Sequence, residues 1–234
     1  MPAQLRKARI LVGAVIVVLA AFALAYFTLF NTSSPPKLTL QTKGSTAAAP
    51  PAGDVAGTWT VADGSVAGYR VREKLAQLPA PSDAVGRTGA ITGQVTIADQ
   101  RGAYSARNAN FTADVSQLKS DHDKRDNKIR SIGLETARYP QATFAAPGPI
   151  AIPADAVAGR AVRIQADGDL TLHGVTKRVT IPLDVQRDGT QIKLVGSYQF
   201  GWSDFGMEAP SLPPFVSVTG SPTLEFELHL AKQA

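Results

Sequence analysis

Three histidines are the side chains of this sequence best suited to metal binding or acid–base catalysis. His122, His173 and His229 lie far apart along the chain, and the chain contains no cysteine. A zinc site usually takes three or four nitrogen, sulfur or oxygen ligands, which isolated histidines do not supply. The sequence therefore predicts no transition-metal site and excludes thiol chemistry.

Residues 201–205 read GWSDF, which begins like the Gly-x-Ser-x-Gly motif of serine hydrolases but ends on Phe205. That motif also needs a strand-to-helix turn and a base beside the serine. The acidic run 121–126, DHDKRD, lacks the glycine and the distal glutamate of a calcium loop, so it is read as a solvated helical face. We expect no enzyme activity.

The clearest structural pattern lies in residues 169–183, DLTLHGVTKRVTIPL, where apolar and polar residues alternate on both sides of His173-Gly174. Alternation with a period of two is typical of a strand with one buried face, and a short glycine-containing link between two such runs predicts a β-hairpin. His173 is expected to hold this turn through its ring nitrogens. Contact with a ligand head group is the alternative.

The remainder of residues 54–234 follows the same alternating pattern, which favours an all-β sandwich or an antiparallel barrel. Residues 117–140 differ, because charged residues and helix formers dominate there. They predict one or two short helices over one end of the β structure, with Ile129 and Ile132 on the packed face. The predicted strands are 57–61, 65–72, 90–98, 103–115, 142–145, 159–172, 179–187, 191–200, 215–219 and 222–231.

Residues 10–30 are apolar and carry no charge, which is the length needed to cross a bilayer as a helix. Basic residues precede this segment, and none follows until Lys37. The positive-inside rule then predicts a single-pass cell-membrane protein with residues 1–9 in the cytoplasm and the rest extracytoplasmic. A signal peptide cleaved after Ala25 is the alternative. Residues 31–53 are rich in Pro, Ser, Ala and Gly and are predicted to be a disordered linker.

The net charge of +5 comes entirely from this N-terminal part. Residues 1–53 hold five of the 24 Lys and Arg residues and none of the 19 Asp and Glu residues, so residues 54–234 carry 19 of each. Nucleic-acid-binding domains usually show a basic face. A neutral domain therefore argues against a nucleic-acid partner.

Six separated blocks of the chain, taken in order, resemble the YceI-like family. The hairpin is the strongest of them. One departure is that residues 62–65 read ADGS where the family carries a histidine. The blocks are 57–71 (GTWTVADGSVAGYRV), 91–97 (ITGQVTI), the set Arg125, Asp126, Ile129 and Arg130, the segment 139–144 (YPQATF), 168–183, and 203–206 (SDFG).

The resemblance implies an eight-stranded antiparallel lipocalin-like barrel over residues 54–234, whose apolar lumen holds a polyisoprenoid or a similar amphiphile. It implies no cofactor beyond a bound isoprenoid lipid or quinone, and it leaves a homodimer open. The rival reading is a β domain with a filled core that acts through its surface on a protein or cell-envelope partner. The residues expected to contact the ligand are Phe111, Phe144, Leu170, Leu172, Ile192, Leu194, Tyr198, Phe200, Phe205 and Phe226.

Overall fold

The computed structural model describes residues 34–40, 54–76, 81–211, 214 and 216–233. The predicted transmembrane segment 10–30 and residues 41–53 of the predicted linker lie outside these ranges, so both stay predictions. Within the described ranges, no helix has the length and apolar character that a membrane crossing requires.

The described residues form eleven β-strands, all paired antiparallel. Because β1 pairs with both β4 and β11, eight strands close into a ring in the order β1-β4-β5-β6-β8-β9-β10-β11, which confirms the predicted eight-stranded barrel. β2 and β3 extend the wall from β11 at one end, and β7 pairs with β5. The strands are β1 Gly57–Val61, β2 Val66–Leu75, β3 Ser82–Thr88, β4 Ile91–Gln100, β5 Ala103–Asp114, β6 Gln141–Ala146, β7 Ile150–Ile152, β8 Val162–Leu172, β9 Val175–Asp188, β10 Gln191–Gln199 and β11 Val216–Lys232.

The predicted hairpin joins β8 to β9, and its register pairs Leu172 with Val175. His173 and Gly174 form the turn with φ angles of 52° and 74°. Positive φ at both central residues is the geometry of a type I′ turn, whose twist matches that of the flanking strands. Gly174, the second residue of the pair, thus has a conformational reason to be present.

Three strand predictions were incomplete. β3 and β7 were not predicted, and residues 215–219 and 222–231 were expected to be separate strands. In the structure Val216–Lys232 is one strand, and the register against β2 shifts between Thr219 and Thr223. Residues 220–222 therefore form a bulge instead of a turn, which is where a strand tolerates proline.

Two short α-helices lie in the described part of the chain, α1 at Asp123–Lys128 and α2 at Ala154–Val157. α1 continues into a π turn over Ile129–Gly133. Ile129 is buried, but Ile132 is 51% exposed. The prediction that both isoleucines share one packed face is wrong, because the wider π turn rotates Ile132 towards solvent.

Residues 34–40 form a strap on the outer wall of the barrel. The Ser34 hydroxyl donates to the carbonyl oxygen of Asp83 at 2.6 Å and accepts from the Asp83 N–H at 3.1 Å. Arg70 donates to the carbonyl oxygen of Pro35 at 2.8 Å, and Arg87 donates to that of Pro36 at 2.7 Å. This part of the predicted linker is therefore fixed to β2 and β3.

Under the strap, the carboxylate of Glu225 lies between two arginines. Its distances are 3.2 Å to Arg70 Nε and 2.8 Å to Arg87 Nη2, and its side chain is only 5% exposed. Arg70 also pairs with Asp83 at 3.2 Å. Burial would raise the pKa of Asp83, but hydrogen bonds from Arg72 and Arg70 outweigh it and lower the pKa. The strap thus covers a partly buried ionic network.

Candidate functional site

The interior of the barrel contains three apolar cavities, which follow one another along β11. The closed-end cavity, of about 90 Å³, lies beside Leu230. The middle cavity, also about 90 Å³, lies beside Leu228 and Phe226. The mouth-side cavity, of about 60 Å³, lies beside Pro222 and shares Leu224 with the middle one. We call the three together the lumen.

Neighbouring cavities of the lumen share their walls. Four side chains line both the closed-end and the middle cavities, namely Phe111, Phe144, Leu183 and Leu194. Four others line both the middle and the mouth-side cavities, namely Ala67, Ala113, Ala142 and Leu224. Rotamer changes of Phe111, Phe144, Leu183 and Leu194 could join the closed-end and middle cavities, and a rotamer change of Leu224 could join the middle and mouth-side cavities. From Leu230 to Pro222 the lumen follows β11 for about 27 Å of strand.

The middle of the barrel is not filled by its own side chains. Phe111, Phe144, Leu183 and Leu194 point inwards but are only half-buried, because part of their surface faces the cavities. In a packed core, inward-facing residues at this depth would be buried on all sides. Each cavity is nevertheless below the roughly 150 Å³ that admits benzene in an engineered protein core. A long ligand would have to displace side chains as it enters.

The structure brings eight of the ten predicted contact residues to the lumen. Tyr198 and Phe205 do not line it: Tyr198 stacks on Phe200 at 6.3 Å, and Phe205 is fully buried with its ring edge-on to Phe200 at 5.2 Å. Phe205 is therefore part of the core. The eight are Phe111, Phe144, Leu170, Leu172, Ile192, Leu194, Phe200 and Phe226. Their contact with a ligand stays a prediction.

Four aromatic rings lie flat against the wall of the lumen because a glycine occupies the facing position. A Cβ built on Gly196 would lie 2.5 Å from the Phe226 ring, and one on Gly168 would lie 2.4 Å from the Phe144 ring. Both distances are too short for real atoms. Because the glycines have no side chains, the rings can lie against the wall and stay out of the central space. The pairs are Tyr69 with Gly86, Phe111 with Gly93, Phe144 with Gly168, and Phe226 with Gly196.

Replacing Gly196 with alanine is expected to push the Phe226 ring into the middle cavity. Overpacking of this kind costs about 1–3 kcal/mol of unfolding free energy. The control is Gly89→Ala, because a Cβ there would meet only the Ser65 carbonyl oxygen at 3.6 Å. Urea unfolding of both variants measures the difference, and a crystal structure of Gly196→Ala shows the ring. Equal stabilities and an unmoved ring would contradict this account of the lumen wall.

The closed end is sealed by a buried tryptophan and by α2. Trp59 is 1% exposed, and its indole N–H donates to the Val55 carbonyl oxygen at 2.8 Å. Val55 and Ala156 of α2 line the closed-end cavity. The hydrogen bond to Val55 satisfies the indole N–H, which is the only polar group of the Trp59 side chain. Entry to the lumen is therefore expected from the opposite end.

At that opposite end the inner faces of β2 and β11 continue past the lumen into a cleft of about 880 Å³, which we call the vestibule. Val71 and Leu75 of β2 and Val216 and Val218 of β11 give it an apolar floor. Ile129, where α1 meets the π turn, lines both the vestibule and the mouth-side cavity. Its side chain thus stands between the two spaces.

A buried ion pair closes one side of the vestibule. Glu73 points inwards from β2 with its side chain 4% exposed, and Arg125 of α1 donates to it and to Asp121. Burial would lower the pKa of Arg125, but these carboxylates outweigh it and raise the pKa. Asp126 accepts from the Ser120 N–H at 2.9 Å and from its hydroxyl at 2.6 Å. The Arg125–Glu73 pair therefore ties α1 to the barrel.

The residues first considered for catalysis have structural partners. The His173 ring lies 3.2 Å from the Phe205 carbonyl oxygen through Nδ1 and 3.2 Å from Glu135 through Nε2. It is therefore engaged away from Ser203, which lies in a 3₁₀ turn. Hydrogen bonding from the Gly201 N–H, with help from Lys177, lowers the pKa of Asp204, which caps that turn. No group of three or more potential metal ligands occurs within the described ranges.

Sequence reasoning missed several residues of the site, including Glu73 and Tyr69. Alternation along β2 places Ala67, Tyr69, Val71 and Glu73 on one face, and this signal was present in the sequence. A glutamate in such a pattern is normally taken as evidence for a solvent-facing position, because unpaired carboxylates are rarely buried. Its partner Arg125 lies 52 residues away and gave no local clue.

Residues 39–230 of this chain match the family described as the YceI-like domain. Protein YceI of Escherichia coli O6:H1 is 33% identical over 99 residues, which are 42% of this chain and 43% of that protein. The chain thus spans less than half the length of that relative. A UPF0312 protein of Vibrio parahaemolyticus is 29% identical over 153 residues, covering 62% of this chain and 71% of that protein.

Among solved structures, a polyisoprenoid binding domain from Saccharophagus degradans implicated in plant cell wall breakdown is similar to this chain. The TM-score is 0.57 at 19% identity, covering 76% of this chain and 99% of that one. A mutant CJ YCEI protein with a monobromobimane guest gives a TM-score of 0.51 at 15% identity, covering 69% and 91%. At these identities the likeness shows the fold.

Proposed function

Because this chain belongs to the YceI-like family, we propose that it is a non-enzymatic binding protein that holds a polyisoprenoid or a similar amphiphilic lipid in its lumen. We further propose that residues 10–30 anchor it in the cell membrane, with the barrel on the extracytoplasmic side. The name of the Saccharophagus degradans domain, a polyisoprenoid binding domain, is consistent with this ligand class.

The observation that carries the proposal is the gradient of polarity along the barrel axis. Apart from Arg187 at the closed end, the described residues that line the closed-end and middle cavities are uncharged and mostly apolar, whereas charged groups gather at the vestibule. A long apolar chain would gain roughly 0.8 kcal/mol for each CH₂ removed from water, before its ordering cost. Its polar head would remain at the vestibule. This arrangement suits an amphiphile better than a compact polar ligand.

Extraction of the purified full-length protein with organic solvent, followed by mass spectrometry, tests the proposal. We expect a lipid with a long apolar chain in amounts approaching one per protein. A denatured sample of an unrelated membrane protein, prepared in the same detergent, controls for adventitious lipid. If no lipid is enriched, and added isoprenoids also fail to bind, the filled-core alternative is favoured.

The anchoring proposal predicts the accessibility of the barrel. Protease added to cells whose outer surface is permeable, but whose cytoplasmic membrane is intact, should degrade a C-terminally tagged chain. The physical reason is the basic cluster before residues 10–30, which retains that end in the cytoplasm. A cytoplasmic protein serves as the integrity control. Protection of the tag until the cytoplasmic membrane is lysed would reverse the proposed topology.

A further inference from the structure

The hydroxyl of Tyr69 is a buried polar group without a hydrogen-bond partner among the described residues. Tyr69 lies on the inner face of β2 and lines the mouth-side cavity, between Ala67 in the lumen and Val71 in the vestibule. Its ring is held against β3, where Gly86 has no side chain to displace it. An unpaired buried hydroxyl is unfavourable, so a ligand that pairs with it gains binding energy.

This hydroxyl is available as a donor and not as an anion. Burial raises the pKa of Tyr69 well above its ordinary value, so the proton stays on the oxygen. The carboxylates that act on it, one on its own strand and two near α1, already have partners: Glu73 and Asp121 accept from Arg125, and Asp126 accepts from Ser120. None of the described residues accepts from Tyr69, so an acceptor on the ligand would complete its pairing.

The charges around Tyr69 also limit the kind of head group. The guanidinium of Arg125 is engaged by two carboxylates and the Ser120 hydroxyl. Lys124 and Lys128 line the vestibule together with Asp123, so their charge is partly offset. A phosphate placed at the Tyr69 hydroxyl would lie near Glu73 and Asp126, and the cation that acts most strongly on that hydroxyl, Arg125, is already paired with carboxylates. Burying such an unpaired charge is costly.

Building on the proposed function, we propose that Tyr69 determines head-group specificity by donating a hydrogen bond to an uncharged oxygen acceptor, such as a carbonyl, on the bound lipid. The site selects against phosphorylated head groups on the same tail. Tyr69 thereby sets the depth at which the head group stops, one inward-facing position below the vestibule floor at Val71.

Three probes with tails of matched length test the assignment on the delipidated full-length protein. They are a menaquinone with a geranylgeranyl tail, geranylgeranyl diphosphate, and the hydrocarbon phytane, each measured by displacement of a fluorescent naphthylamine. We expect the quinone to bind at least about tenfold more tightly than the diphosphate. Tyr69→Phe should weaken quinone binding by about three- to tenfold and leave phytane unchanged. The matched control is Tyr139→Phe, whose ring packs on His173 outside the lumen, and it should change none of the three.

The outcomes separate this inference from the proposed function. If neither phytane nor the quinone binds to the unaltered protein, the proposed function fails. If phytane binds but Tyr69→Phe leaves the quinone unaffected, or if the diphosphate binds as well as the quinone, the assignment of Tyr69 is overturned. The ligand-free Tyr69→Phe protein should unfold at the same or a higher denaturant concentration. A clearly lower midpoint would show that the hydroxyl is already paired and would also overturn it.

Discussion

Replacing Leu194 with glutamate is expected to abolish lipid binding. Leu194 lines both the closed-end and the middle cavities, so the new carboxylate would stand in the path of an apolar chain. Among the described residues that line these two cavities the one cation is Arg187, whose Nε donates to the Gly189 carbonyl oxygen at 3.3 Å, so the new carboxylate would be buried in an otherwise uncharged space or would draw water into the lumen. Either result removes the gain from burying the tail. The measurement is lipid recovered per protein by solvent extraction.

The matched control for Leu194→Glu is Gln199→Glu, which adds the same charge to the exposed outer face of the same strand. It should retain the lipid. A second variant, Ala142→Phe, adds bulk without charge where the middle and mouth-side cavities meet. If the lumen is a ligand cavity, this variant keeps its stability and loses the lipid. If the interior is a filled core, it loses about 1–3 kcal/mol, and Leu194→Glu has no lipid to displace.

Replacing Glu225 with alanine is expected to destabilise the protein by about 3 kcal/mol, near the lower end for breaking a buried ion pair. The change leaves Arg70 and Arg87 facing each other under the strap without their shared carboxylate. Arg70 keeps Asp83, and both arginines keep a strap carbonyl, which limits the loss. Urea unfolding gives the free energy, and faster tryptic cleavage after Lys37 would report release of the strap.

Glu227 provides the comparison, because it lies on the outer face of the same strand. It pairs with His229 at 2.9 Å, and both side chains are about one-fifth exposed. A pair that solvent can reach contributes about 1 kcal/mol or less. Glu227→Ala should therefore be nearly neutral. Equal losses in the two variants would mean that the network under the strap has no special role in stability.

The sequence was sufficient for the parts of the fold with strong local signals. Alternation around His173 and Gly174 predicted the β8–β9 hairpin, because one face of each strand is apolar and the turn residues tolerate positive φ. β3 gave no such signal. Its inward-facing residues are Ala84, Gly86 and Thr88, which are small, and the Tyr69 ring occupies the space where a Cβ of residue 86 would lie.

The interior of the site could be predicted only in part, because its shape depends on residues far apart in the chain. Alternation identified most of the apolar lining. It could not show that Gly196 pairs with Phe226 on the adjacent strand, or that Glu73 meets Arg125. Such pairs arise only when β10 pairs with β11 and when α1 packs on β2. The features that set the width of the lumen and the polarity of its mouth were therefore those that the sequence left open.

The strap determines which end of the barrel would face the bilayer. Ser34 binds the backbone of Asp83, and the adjacent Ser82 pairs with Glu73 in the wall of the vestibule. Given the proposed anchor, the chain from Phe30 to Ser34 can span at most about 14 Å. The mouth would then open at the level of the lipid head groups. A lipid would pass between membrane and barrel with only a short part of its tail in water at any moment, which avoids the hydration barrier that normally makes lipid desorption slow.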